Sequence, residues 1–181
     1  MNDINAAVWG TGTIGACIAT LLAGNGLETV VVGHSEEGIA RCWKTIKKNL
    51  KELESAEKLT EAQSRKILSL LTVTEKYEQI SEASVVIEAV AENIEIKRSV
   101  YHKIEKVCGA ETIIASTTSA LPPNILCEGM HRPERLLVAH PFQPAHLLPL
   151  FELVGSPVTS TACLDKMKEF LETVVKRQVV C

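Results

Sequence analysis

Short apolar runs alternate along most of the chain with stretches whose apolar residues recur at helical spacing. Ile4 to Trp9 reads as a first strand and Ile14 to Ala23 as the helix after it, with Gly24 and Gly26 as stop signals. Thr29-Val30-Val31-Val32 is a β-branched run suited to a strand covered on both faces. Ser35, followed by Glu36 and Glu37, opens a long polar helical stretch to about Leu53. Thr60 with Gln63 marks a capping box for a second helix reaching Leu70. Further strands are expected at 71–73, 84–87, 112–115, 136–139, 150–154 and 178–181, with helices at 94–107 and 161–175.

This alternation predicts an α/β fold: a doubly wound, mostly parallel sheet of Rossmann type with a helical excursion after the second strand. Ligands of such sheets gather at the carboxyl ends of the strands, so chemistry is expected just after each one. No linker, repeat or low-complexity segment divides the chain, and residues 1–181 read as one domain.

Composition narrows the partners. A formal net charge of -3 argues against nucleic acid or a membrane surface, and the densest basic cluster, Lys44 to Lys51, is soon followed by Glu52, Glu54 and Glu57. Asp3 and Asn5 interrupt the N-terminus, so no secretory signal is expected. No apolar run approaches the ~18 residues that span a bilayer. Six cysteines (17, 42, 108, 127, 163, 181) lack CxxC or Cys/His ligand spacing. They read as reduced thiols in a cytoplasmic protein, with no disulfide and no metal site.

Gly10-Thr11-Gly12-Thr13-Ile14-Gly15 lies between the first strand and the first helix, the context a dinucleotide-binding turn requires. Gly10 would make the tight turn, and Gly12 would let the backbone approach a pyrophosphate. Thr13 and Ile14 carry the turn into the helix, and Gly15 would let that helix pack close to the strand. An acidic residue normally holds the adenine ribose roughly 20 residues past the first glycine. Gly33 stands there instead, followed by His34 and Ser35. Nothing then repels a 2′-phosphate, and His34 with Ser35 offers donors to one, so NADP stands beside NAD. The alternative is that other groups hold the ribose and NAD is kept.

Two loops have two readings each. Glu88-Ala89-Val90-Ala91-Glu92-Asn93, with Lys97 a turn into the next helix, is either a plain helix start or a loop beside the nicotinamide ribose. In the second reading Ala89, Val90 and Glu92 face the coenzyme. Ser116-Thr117-Thr118-Ser119 is either a polar loop or a set of hydroxyls presented to a substrate oxygen.

His140-Pro141-Phe142-Gln143-Pro144 ends another strand, and its prolines stiffen the backbone. Glu152, in or beside the next strand, could return next to the histidine. A carboxylate bonded to one imidazole nitrogen would orient the ring and leave the other nitrogen for proton transfer. A lone histidine is more often structural than catalytic, and spacing alone does not reverse that. His34, His102, His131 and His146 have no such arrangement.

Four motifs in order now add up. The chain resembles the NAD-binding domain of the 3-hydroxyacyl-CoA dehydrogenase family at Gly10–Gly15, at Val86–Asn93 with Lys97, at Ala115–Leu121, and at His140–Pro144 with Phe151–Val154. The resemblance implies reversible oxidation of a secondary alcohol at carbon 3, with hydride passing to a nicotinamide coenzyme. It implies His140 as general base, Glu152 as its partner and Ser119 as a hydrogen-bond donor to the substrate oxygen. Glu92 and Lys97 would help hold the coenzyme, as would Thr117. In the family the helical excursion helps hold CoA, making Lys47, Lys48 and Lys51 candidates for its phosphates, beside their reading as a solvated face.

Three departures stand out. The family's aspartate is Gly33, the asparagine of its hydroxyl-rich loop is Thr117, and the one after the histidine is Gln143. Leu147 to Glu152 resembles the branch holding L-gulonate and carnitine dehydrogenases and lambda-crystallin, so a small 3-hydroxy acid is an alternative substrate. A dinucleotide-binding or crystallin-like module without catalysis is the rival, and the retained His140 and Glu152 speak against it. Family members continue past a point like Cys181 into a helical domain carrying dimer contacts and part of the substrate site. A homodimer is therefore expected of the full-length protein, and poor turnover of the isolated chain.

Overall fold

The structure, a computed structural model, describes residues 5–181, so the expected strand start at Ile4 and the reading of Asp3 lie outside it. The chain runs β1 (Ala6–Trp9), α1 (Thr13–Gly24), β2 (Thr29–Val32), α2 (Glu36–Ser55), α3 (Glu61–Ser69), β3 (Leu71–Thr74), β4 (Val85–Glu88), α4 (Ile94–Val107) and β5 (Ile113–Ser116). It continues as α5 (Pro123–Leu126), β6 (Leu136–Pro141), β7 (Leu150–Gly155), α6 (Thr161–Glu169) and β8 (Gln178–Val180). The strands form one sheet in the order β3-β2-β1-β4-β5-β6-β7-β8. The strand order switches direction between the parallel neighbours β1 and β4, and Rossmann-type sheets bind ligands at that crevice.

The central strands β1, β2, β4 and β5 are mostly apolar and buried because helices cover both of their faces, whereas β7 alternates buried and exposed positions. Val8, Val31, Ile87 and Ala115 point into one core with Ile18, Leu22 and Ile46 of α1 and α2. Their neighbours Ala7, Val32, Val86 and Ile114 point into a second core with Val100, Tyr101 and Ile104 of α4. The caps also follow the sequence: Ser35 accepts from the Gly38 backbone N–H, and Thr60 forms a full capping box with Gln63.

Strands β3 to β6 pair in parallel, whereas β7 runs antiparallel to β6 and β8 pairs in parallel with β7. A parallel partner needs a crossover of about a dozen residues or more. The link from Pro141 to Leu150 contains no helix and folds straight back. The final helix also departs from expectation: α6 ends at Glu169 and continues as a π turn, Phe170–Val174. Alternation alone does not show the short α5, which begins on Pro123.

Candidate active site

Three features line the carboxyl rim of the sheet, beginning with the glycine turn. Gly10 has φ +134°, and a Cβ there would lie 2.3 Å from the Ala89 carbonyl oxygen. A Cβ on Gly15 would lie 2.0 Å from the Gly10 carbonyl oxygen. Only glycine fits either place. At Gly12, by contrast, nothing lies within 4 Å, so a ligand can approach the backbone. The turn borders a cavity of about 620 Å³ that also takes in Gly33, His34, Ala89, Val90 and Arg41. Thr13 begins α1 and Ser35 caps α2 beside it, while Ile14 is half-buried against the core.

Between β4 and β5 lies a buried polar knot. The Glu88 carboxylate is fully enclosed and accepts from Lys97 Nζ at 2.8 and 3.1 Å. It also accepts from Tyr101 Oη at 2.8 Å, Ser116 Oγ at 2.7 Å and the Val90 backbone N–H at 2.8 Å. One carboxylate thus ties β4, α4, β5 and the loop after β4 into a fixed rim. Burial and the neighbouring Glu88 carboxylate both raise the Tyr101 pKa, so its phenol stays protonated and donates.

Lys97 also reaches Glu92 Oε2 at 3.3 Å, and Thr118 Oγ1 donates to Glu92 Oε1. Burial alone would raise the Glu92 carboxyl, but the Thr118 bond and the Lys97 ammonium outweigh it and hold it below the ordinary carboxylate value. Lys97 is itself enclosed, so any hold it has on a coenzyme runs through Glu92. Thr117 is buried too, lines neither this cavity nor the next, and donates its backbone N–H to the Glu88 carbonyl.

The third feature is the histidine. The antiparallel register sets His140 directly opposite Glu152. Directly opposed residues share a sheet face, and His140 Nδ1 lies 2.9 Å from Glu152 Oε2. With Nδ1–H donating to the carboxylate, Nε2 is left as the basic nitrogen. The side chains are 30% and 49% exposed. They border a cavity of about 350 Å³ together with Ser119, Thr118, Leu121 and Val138. The structure therefore gathers His140, Glu152 and Ser119 in one place, and the glycine turn with Gly33, His34, Ala89 and Val90 in another. Thr118, bonded to Glu92, borders the first of these places.

The sequence names Glu88 and Ser116 only as members of the two loops, not as partners of each other, and it does not single out Tyr101 or Arg41. A lone carboxylate closing an apolar strand was the available signal for Glu88; nothing local marks Arg41. Elsewhere, Lys44, Lys47, Lys48 and Lys51 border a groove of about 700 Å³ along α2. Lys48 is partly neutralised there by Glu52 at 3.6 Å.

Among the described residues no group of three or more His, Cys, Asp or Glu is placed to hold a metal, and no helix is long and apolar enough to cross a membrane. The six cysteines are free thiols, and burial pushes those of Cys42, Cys108 and Cys163 up to about 11.

Residues 5–181 match the family model for the 3-hydroxyacyl-CoA dehydrogenase, NAD binding domain. The chain belongs to this family. The 3-hydroxyacyl-CoA dehydrogenase relatives include a 3-hydroxybutyryl-CoA dehydrogenase of Mycobacterium tuberculosis, 35% identical over 174 residues, which are 96% of this chain and 61% of that protein. An L-carnitine dehydrogenase of Oceanobacillus iheyensis is 36% identical over 174 residues, 96% of this chain and 56% of that protein. The crystal structure of M. tuberculosis FadB2 superposes with a TM-score of 0.94 at 34% identity, covering 97% of this chain and 62% of that one. The chain thus spans less than two thirds of these family members.

Proposed function

We propose that this chain carries the coenzyme site and the general base of an oxidoreductase that converts a 3-hydroxy group to a ketone. The observation that carries the reading is the His140–Glu152 pair, bonded at 2.9 Å, facing Ser119 across one cavity on the rim that bears the glycine turn. The residues fit a nicotinamide dinucleotide: Gly10 and Gly15 close the turn where no side chain could stand, and Gly12 leaves its floor open. When bound, the nicotinamide supplies the acceptor for the hydride from carbon 3.

The chain does the rest. Ser119 donates to the substrate oxygen and fixes its distance from His140. His140 Nε2 takes the hydroxyl proton as the carbonyl forms. Glu152 keeps the ring in the required tautomer and stabilises the imidazolium that results. Glu92, held by Lys97 and Thr118, fixes the loop that meets the nicotinamide ribose.

The family and the lysine groove of α2 support a 3-hydroxyacyl-CoA as substrate; the family description supports NAD as coenzyme, and Gly33 in place of the usual acidic residue keeps NADP beside it. A small 3-hydroxy acid such as carnitine or gulonate is the second reading, favoured by the Leu147–Glu152 segment and the L-carnitine dehydrogenase relative. Free thiols support a reducing compartment such as the cytosol. A homodimer of the full-length protein, and weak turnover by this domain alone, complete the proposal. Coenzyme reduction by the full-length protein, screened with 3-hydroxyacyl-CoA, carnitine and gulonate, tests it. Signal with one of them supports an enzyme and names the branch, and no signal with any favours a binding module.

A further inference from the structure

Resting on that coenzyme reading, we propose that the adenosine end of the site is built for a ribose 2′-phosphate, with Arg41 as the residue that selects it. Three observations converge there. The first is Gly33, at the end of β2, where a carboxylate would ordinarily bond the 2′-hydroxyl and repel a phosphate. The position is packed as a glycine: a Cβ would lie 2.8 Å from Thr11 Cγ2 and 3.2 Å from Ile39 Cγ1. A carboxylate enters only if Thr11 moves.

The second is the set of donors beside it. The point where a Cβ on Gly38 would stand lies 2.9 Å from Thr11 Oγ1, 3.2 Å from Ser35 Oγ and 3.9 Å from Arg41 Nη2. Two hydroxyls and a guanidinium thus cluster at the start of α2, next to Gly33. The third is that Arg41 forms no ion pair among the described residues. It borders the same cavity as Gly33 and Gly12, as do His34 and Lys103. Glu95 is the one carboxylate among the cavity's described residues, and it belongs to α4 rather than to the β2 end. A guanidinium without an acidic partner can take a phosphate bidentately, through charge-assisted hydrogen bonds.

Calorimetric titration with NAD, NADP, 2′-AMP and 5′-AMP tests this. NADP should bind at least as tightly as NAD, and 2′-AMP more tightly than 5′-AMP. Arg41→Ala should lower NADP affinity about tenfold or more beyond any effect on NAD, and Arg41→Lys should recover part of that difference. Arg41 is exposed on α2, so neither substitution opens the core. NAD binding tenfold tighter than NADP overturns the inference and leaves the coenzyme reading intact. So does an Arg41→Ala effect equal for both coenzymes. Failure of both dinucleotides to bind removes the coenzyme reading itself.

Discussion

Replacing Glu88 with glutamine keeps the shape of the side chain and removes its charge. In the native chain its two oxygens receive Lys97, Tyr101, Ser116 and the Val90 N–H, at 2.7 to 3.1 Å. A glutamine carbonyl oxygen has two lone pairs, so about two of these donors lose their acceptor, and the new amide N–H₂ turns toward groups that are themselves donors. Lys97 keeps only Glu92 as a counter-charge. Breaking a buried pair from one side costs about 3–5 kcal/mol. In a domain of this size that lowers Tm by roughly 6–20 °C. Thermal unfolding followed by circular dichroism reads the shift. Removing both charges, as Glu88→Leu with Lys97→Met, should cost less than Glu88→Gln alone, because no buried ion is left unpaired. A loss below about 1 kcal/mol for Glu88→Gln, the range of an exposed pair, would refute the claim that Glu88 organises the rim. So would a double variant worse than the single one.

Three other perturbations follow from the same geometry. Gly10→Ala forces a Cβ to 2.3 Å from the Ala89 oxygen at φ +134°, so dinucleotide titration should show binding lost, and urea unfolding a destabilisation of at least about 1–3 kcal/mol. Glu152→Ala should lower kcat in the full-length enzyme by less than the ~10⁴-fold that follows loss of the buried aspartate in a serine-protease triad, since water can reach the half-exposed Glu152 site; an unaltered kcat would remove Glu152 from its orienting role. Burial pushes the His146 pKa below its ordinary 6.5, although Glu52 at 3.7 Å pulls part of the way back. A base with a depressed folded pKa stabilises fully above the unfolded value and loses that contribution as pH falls. Unfolding free energy should therefore drop as pH falls below about 6.5, with a gentler slope in His146→Phe, and equal slopes would discount the group.

What could be read in the sequence follows from the range of the interactions involved. The sheet and its helices are written in local periodicity: strands covered on both faces are mostly apolar, and the caps at Ser35 and Thr60 are signals spanning three residues. The glycine turn is similarly local, and its three glycines stand where side chains would collide or where backbone must stay open. His140 and Glu152 were legible as a pair because a short return brings a strand back beside its predecessor. The Glu88 knot was not, because its partners come from 9, 13 and 28 residues away and only the fold brings them together. Lys97 looked like a coenzyme ligand from its place after the loop, yet the helix face it occupies turns it toward Glu88. Arg41 likewise gains meaning only from the placement of Gly33 and Thr11 beside it.

Proton removal by His140 is the step on which the proposed chemistry depends. Single-turnover coenzyme reduction should be followed in full-length wild type and His140→Gln, with coenzyme affinity measured in both. Hydride transfer should be slowed about 10²–10⁴-fold in the variant while the coenzyme still binds. A His140→Gln protein that reduces coenzyme at the wild-type rate would contradict that role for His140.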